Sequence, residues 1–340
     1  MSAAIPLSPL PLSVRSPGKV ILFGEHAVVH GRPELLLTVD LYLQAGFSSA
    51  PEFELNGEPA AARKHPYLSA ARSSLWSDAY GGVSIDVVSR IPRAAGLGSS
   101  AAFCTALTAG FSAVRGGVEP SLLADRSFAI ERKAQGVGSP GDTSAVVAGG
   151  VVSVNGGSGT ILWELSDGDQ HWKVRRVSDP GWIWLVVYSG VPRQTADAVR
   201  AVGRRLAEPD GPRLLEQFES VALEGIDAVG SERREAVGPL MDRNHALLRE
   251  VGVSHPRLEA LLDAVRPVAE GAKLTGAGAG GSIVALIRPG HEVEATRRAR
   301  RAGGVPYVVR TSSTGVGLVA SGPGRVRSAP RDDADDGARG

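Results

Sequence analysis

One short segment limits this chain's fold more than any other. Gly96-Leu97-Gly98-Ser99-Ser100-Ala101-Ala102 joins an alternating stretch, Val83–Val88, to an Ala-rich run, Ser99–Val114, with Ala, Phe and Leu at helical spacing. A strand must turn into a helix here through two glycines, which reach backbone angles closed to other residues. Such a turn exposes successive N–H groups, and the helix N-terminus adds unpaired donors and a positive dipole end. The combination is a cradle for phosphate. A plain Gly-Ser loop with Ser99 or Ser100 as helix cap would have the same local composition.

Known phosphate motifs fit poorly. The segment lacks the Gly-Lys-Ser/Thr ending of a Walker A loop. It satisfies G-x-G-x-x-A, but a dinucleotide site needs an acidic residue ending a second strand about 20 residues on. That stretch is helical here and reaches only Glu119 before another helix. Gly276–Gly281 also satisfies G-x-G-x-x-G, yet it leads into Ser282–Ile287, a strand by composition. A third glycine-bearing segment opens the chain: Ser16-Pro17-Gly18-Lys19, continuing to Gly24-Glu25-His26.

The rest of the composition narrows the class. The 340 residues allow one large domain or two ordinary ones. A formal charge of +1 argues against a partner such as DNA or RNA. The single cysteine, Cys104, excludes an internal disulfide framework and a cysteine zinc cluster. No apolar run approaches the roughly 18 residues of a membrane helix. The Pro-rich start lacks the layout of a signal peptide, so a cytoplasmic protein is expected. Glycine, at 43 residues, is nearly twice its usual share, and only five of the 37 basic residues are lysine, a bias that a GC-rich genome would produce.

Residues 1–13 are expected to be a loose leader and 321–340 a disordered tail. Between them strands and helices mix in an α+β order. Strands are expected at Val20–Phe23, Leu35–Phe47, Val83–Val88 and Trp182–Tyr188, and helices at Ser99–Val114 and Pro120–Lys133. Helices then dominate from Thr195 to Val268. Strands return at Ala272–Thr275, Ser282–Ile287, Pro306–Arg310 and Gly315–Val319, around a helix at His291–Ala302. Ser-Asp-Pro-Gly-Trp at 178–182 suits a boundary, giving domains 14–180 and 181–320.

Two carboxylates stand beside a further glycine-rich loop, Gly136-Val137-Gly138-Ser139-Pro140-Gly141. Glu131 lies in the helix before it, and Asp142 lies where it would cap the helix after it. Taken singly, Glu131 suits a solvated helix face and Asp142 an N-cap. Beside a phosphate cradle, a metal-ligating carboxylate and a base are what phosphoryl transfer to an alcohol requires.

The three glycine segments, in this order and spacing, resemble the motifs of the GHMP kinase superfamily over nearly the whole chain, from Arg15 to about Val319. Within it, Ser16 to Gly31 is similar to the opening signature of mevalonate kinases. Lys64-His65-Pro66-Tyr67, Gly190-Val191-Pro192-Arg193-Gln194-Thr195 and Asn244-His245-Ala246-Leu247-Leu248 resemble their secondary motifs. The loop from Gln135 to Thr143, with its Asp142-Thr143, is more similar to that of archaeal members than to that of eukaryotic ones.

The resemblance implies a two-domain GHMP kinase fold with the active site in the inter-domain cleft. It implies ATP and Mg²⁺ as cofactors, mevalonate as the substrate and a possible homodimer, with no membrane or nucleic-acid partner. Pro92, Gly96, Leu97, Gly98, Ser99, Ser100, Ala101 and Ala102 would bind the nucleotide. Ser100 and Glu131 would bind the metal, Ser99 being the weaker candidate. Asp142 would accept or orient the hydroxyl proton, while Lys19 would stabilise the developing charge and hold Asp142 ionised. His26, Arg193, Thr195, Gly276, Ala277 and Gly278 would face the acceptor with Lys19 and Asp142. Other GHMP activities remain open: phosphomevalonate kinase, mevalonate 3-kinase, diphosphomevalonate decarboxylase, or a non-catalytic relative.

Two departures stand out. Ala279 replaces one of four consecutive glycines, and an ordinary backbone dihedral is expected there because alanine at positive φ would cost about 1 kcal/mol. Glu34 stands where relatives commonly have alanine, and the sequence offers no reason for it.

Overall fold

The computed structural model describes residues 4–60, 65–136, 138–192 and 195–320. In the first half, β1 (Leu12–Phe23), β2 (Glu34–Ala50), β3 (Glu54–Leu55), β4 (Glu58–Pro59), α1 (Pro66–Leu75) and β5 (Gly82–Ser89) precede three consecutive helices. These are α2 (Ser99–Val114), α3 (Pro120–Gln135) and α4 (Gly141–Ala148), followed by β6 (Val151–Val154), β7 (Ile161–Asp167) and β8 (Gln170–Val177). The second half runs β9 (Ile183–Tyr188), α5 (Thr195–Leu206), α6 (Gly211–Gly230), α7 (Arg234–Glu250), α8 (Pro256–Val265), β10 (Ala269–Thr275), β11 (Ser282–Ile287), α9 (Glu292–Arg301), β12 (Val305–Arg310) and β13 (Gly317–Val319).

Among the described residues there are two sheets. The larger has the order β4-β3-β5-β2-β6-β8-β7, with β1 also paired along β2 and β13 on the other edge of β1. The smaller is antiparallel, in the order β10-β11-β9-β12. The chain changes sheet between β8 and β9. The fold is the α+β arrangement expected.

α2 is buried along most of its length because alanine lets it lie close to the large sheet. Gly110 on this helix has to be glycine: a Cβ would sit 2.3 Å from the Phe47 ring. Phe47 meets Phe111 edge-to-face, with ring centroids 5.9 Å apart. α7 crosses β10 at similarly close range. A Cβ on Gly238 would lie 2.2 Å from the Glu270 carbonyl oxygen, and one on Gly271 would lie 2.2 Å from that of Gly238. The two halves are also joined through Thr275, whose hydroxyl donates to the Ile21 carbonyl and accepts from the Ile21 N–H, both at 3.0 Å.

Several expectations need correction. The leader is not loose over residues 4–13: Ile5 is buried and pairs with Val118, and β1 already begins at Leu12. Ile5 exchanges backbone hydrogen bonds with Val118, and the Ser8 N–H donates to the Ala113 carbonyl at 2.9 Å, despite the surrounding prolines. The hairpin of β7 and β8 was not anticipated, although Asp167-Gly168 is a hairpin turn signal and Gly168 adopts φ 59°. α1 was likewise missed. The expected tail, 321–340, lies outside the described residues.

Candidate active site

The cradle forms where the sequence suggests. Gly96 and Gly98 have φ of 86° and 73°, and Gly98 is the N-cap residue of α2. No side chain caps this helix. Ser99 and Ser100 are therefore helical residues and not caps, which corrects that reading. Gly96, Gly98, Ser99 and Ser100 line a cleft of 590 Å³ together with His65, Tyr67, Arg93 and Phe103. Pro92, Leu97, Ala101 and Ala102 do not line it. Leu97, Ala101 and Ala102 are buried behind it, and the Leu97 carbonyl accepts from the Lys19 N–H at 3.0 Å, tying the loop to β1.

On one side of the cleft, Tyr67 gathers the two candidate metal ligands. Its hydroxyl is hydrogen-bonded to Ser100 and Gln135, and it feels the charge of Glu131. Burial pushes the hydroxyl's pKa up, and those two hydrogen bonds oppose the rise. Glu131 is buried, unlike a solvated helix residue, and its Oε1 accepts from Gln135 Nε2 at 3.2 Å. Among the described residues no three His, Cys, Asp or Glu side chains converge as a metal cage. One hydroxyl and one carboxylate suit Mg²⁺, which keeps waters and phosphate oxygens as its other ligands. Nearby Cys104 is an inert thiol, its pKa raised well above the usual value by burial first and then by Glu131.

Behind Gly98, outside the lining of that cleft, stands a buried pair. Lys19 Nζ is 2.5 Å from Asp142 Oδ1, with the Lys19 side chain fully buried and that of Asp142 29 % exposed. The contact is a close ion pair, and the ammonium has no further hydrogen-bond partner among the described residues. A Cβ on Gly98 would fall 2.7 Å from Lys19 Cγ, so this glycine makes room both for the turn and for the lysine. Pro140 is the N-cap residue of α4, and Asp142 lies within the first turn. The expectation of a capping Asp142 is thus corrected. The carboxylate instead benefits from the positive end of the helix while facing Lys19.

Behind this pair the two glycine-rich ends of the chain meet. Lys273 of β10 donates to Glu25 Oε1, a contact between two fully buried side chains, and also to the Leu274 carbonyl at 2.8 Å. Burial pushes the Glu25 carboxyl up and the Lys273 ammonium down, and their mutual contact opposes both shifts. His26 adopts φ 63°, and its Nε2 meets the Ala277 carbonyl at 3.1 Å. Gly276 and Gly278 follow β10 with φ of 80° and 76°. Ala279 adopts φ 54°, which overturns the expected ordinary dihedral. Its N–H must reach the Val253 carbonyl at 2.7 Å, and that bond holds the left-handed turn despite the methyl group. Arg193 lies outside the described residues. Thr195 begins α5, and its side chain also lies outside them.

Sequence reasoning did not identify Glu25, Lys273, Tyr67 or Glu34 as members of the site. The first two had a faint signal, since Lys273 is one of only five lysines and falls in a glycine segment.

Comparison with known proteins agrees with this geometry. Residues 65–150 match the family model for the GHMP kinases N terminal domain, and residues 223–305 match that for the GHMP kinases C terminal. The chain is 30% identical to the mevalonate kinase of Pyrococcus horikoshii over 88% of its own length and 96% of that protein. It is 31% identical to the mevalonate kinase of Methanothermobacter thermautotrophicus over 80% of its own length and 89% of the relative. Its fold matches the crystal structure of L. major mevalonate kinase in complex with R-mevalonate at a TM-score of 0.75. That match has 21% identity and covers 93% of this chain and 100% of that one.

Proposed function

Because this chain belongs to the GHMP kinase family, whose members use ATP, we propose that it is a mevalonate kinase. It transfers the terminal phosphoryl group of ATP to the C5 hydroxyl of (R)-mevalonate. The observation that carries the reading is the Lys19–Asp142 pair, separated from the phosphate cradle only by Gly98. The agreement with two mevalonate kinases at 30% and 31% identity supports the choice of acceptor.

In this reading the N–H groups of Gly96 to Ser100 receive the phosphates at the start of α2. Ser100 and Glu131 are the oxygens that hold Mg²⁺, which when bound neutralises phosphate charge. Asp142 accepts or orients the proton of the acceptor hydroxyl, and the hydroxyl oxygen forms the new bond to phosphorus as the bond to the ADP oxygen breaks. Lys19, held against Asp142 and making no other hydrogen bond, stabilises the negative charge that develops between them. His26, Arg193, Thr195 and Gly276 to Gly278 form the acceptor's surroundings. The phosphoryl group passes directly, with no phosphoenzyme.

Coupled ADP release, measured over a panel of mevalonate, phosphomevalonate and diphosphomevalonate, tests the proposal. Mevalonate should give the highest kcat/KM, and diphosphomevalonate should release no CO₂. Failure of mevalonate to stimulate ADP release overturns the assignment.

A further inference from the structure

Glu34 is the residue for which the sequence offered no reason. It starts β2, and its side chain is clamped between glycines of two different motifs. A Cβ on Gly24 would lie 2.6 Å from the Glu34 Cα, and one on Gly141 would lie 2.1 Å from the Glu34 carboxyl oxygen Oε2. The carboxyl is therefore held against the first turn of α4, which carries Asp142. The residue is 2 % exposed, and Oε2 has no hydrogen-bond partner.

The charged groups acting on it are Asp142 from α4, Lys19 from β1, Glu25 from the loop after β1, and Lys273 from β10. Arg32, two residues earlier, is turned away to Glu219 of α6 at 2.6 Å. His26, in the same loop as Glu25, is engaged with Ala277. Lys19 is matched by Asp142 and Lys273 by Glu25, wherever the proton lies within each pair. Glu34 is the unmatched acid. An ionised Glu34 would leave a net negative charge in a nearly dry pocket, and buried charge without a partner is strongly disfavoured.

We propose that Glu34 is a positioning residue of this site: its carboxyl carries the one proton that balances the five-group cluster, and so keeps Asp142 paired with Lys19. The proposal rests on the kinase reading above for its catalytic consequence, though not for the proton itself. Burial first, and the Asp142 carboxylate second, push the Glu34 carboxyl well above the usual range, with Lys19 opposing. When the proton is lost to solvent at alkaline pH, three carboxylates face two ammonium groups. Glu34 then competes with Asp142 for Lys19, and catalysis falls.

The test compares the full-length protein with Glu34→Gln by infrared spectroscopy and by the pH profile of ADP formation. The wild type should show a protonated-carboxyl C=O band that persists above the usual carboxylate range and is lost in Glu34→Gln. The alkaline limb of kcat/KM for the acceptor should disappear or move in the variant, whatever its absolute rate. If Glu34→Gln does not fold, Glu34→Ala removes the same proton and is read in the same way. A band unchanged by the substitution, or superimposable pH profiles, overturns the proposal. If mevalonate drives no ADP formation while the band behaves as stated, the substrate assignment falls and the proton on Glu34 stands.

Discussion

The two walls of the candidate site are built on opposite principles. The proposed phosphate side uses bare backbone and neutral hydroxyls: Gly96, Gly98, Ser99 and Ser100 line an open cleft, and the buried Glu131 is linked to it through Gln135 and Tyr67. The opposite side packs Lys19, Glu25, Glu34 and Lys273 into the interior, with Asp142 alone of the cluster reaching outward. A phosphate is already highly charged, so donors whose geometry is fixed by the backbone suffice to hold it. An alcohol has no charge until it reacts, and stabilising the charge it develops needs ionic groups preorganised away from water. Ligand affinity should therefore reside in the first wall and turnover in the second.

The strongest way to break that division is through the Lys19–Asp142 pair. Asp142→Asn and Lys19→Met should each lower kcat by about 100- to 10,000-fold in coupled ADP release while leaving nucleotide affinity, measured by calorimetry, nearly unchanged. Equal losses in both quantities would mean the two walls are not separable. Gly98→Ala attacks the joint between them. The left-handed turn alone should cost about 1–2 kcal/mol, and the new methyl group must displace the Lys19 stem. Both ATP affinity and kcat should drop, whereas a variant confined to one wall should affect one of them.

Glu131→Gln should act on the first wall only. The Mg²⁺ concentration for half-maximal ADP formation should rise by at least the about 10- to 100-fold associated with losing an outer-shell partner. His245 supports the second wall from α7, where it accepts from the Leu274 N–H of β10 and contacts Glu259 at 3.1 Å. Burial lowers its pKa below the ordinary 6.5. As pH falls through 6.5 the unfolded chain takes up this proton first, so stability declines from there down to the folded value. The wild-type Tm should drop over that window more than that of His245→Asn. The smallest effect is expected at Ala279, where glycine would relieve up to about 1 kcal/mol of left-handed strain, partly offset by the greater freedom of an unfolded glycine. Differential scanning calorimetry should find Ala279→Gly equal to or slightly more stable than the wild type.

The same contrast explains what the sequence disclosed. α2 spans Ser99–Val114 as its periodicity and glycine flank predict, because cradle and helix are local matters. Asp142 and Lys19 could be named because their motifs are local too. The partnership of Glu25 with Lys273 crosses 248 positions, and no periodicity encodes such a meeting. The sequence offered no reason for Glu34 because its surroundings come from β1, α4 and β10 at once. The dihedral at Ala279 was misjudged for a related reason: the bond to Val253 that holds it comes from another element. Tyr67 was visible as part of a motif, but its link between Ser100 and Glu131 emerges only when α1 packs beside α2 and α3.

The pairing of β1 with β13 also has a consequence for how the molecule is made. β1 is synthesised before β2, which can zip along one of its edges soon after. The other edge, at Ser13 to Arg15, is filled by Gly317 to Val319, and the hydroxyl that seals Ile21 belongs to Thr275. During synthesis the strand that carries Lys19 therefore waits, half sheltered, for elements translated roughly 300 codons later. The outer edge of β1 is completed only when β13 arrives.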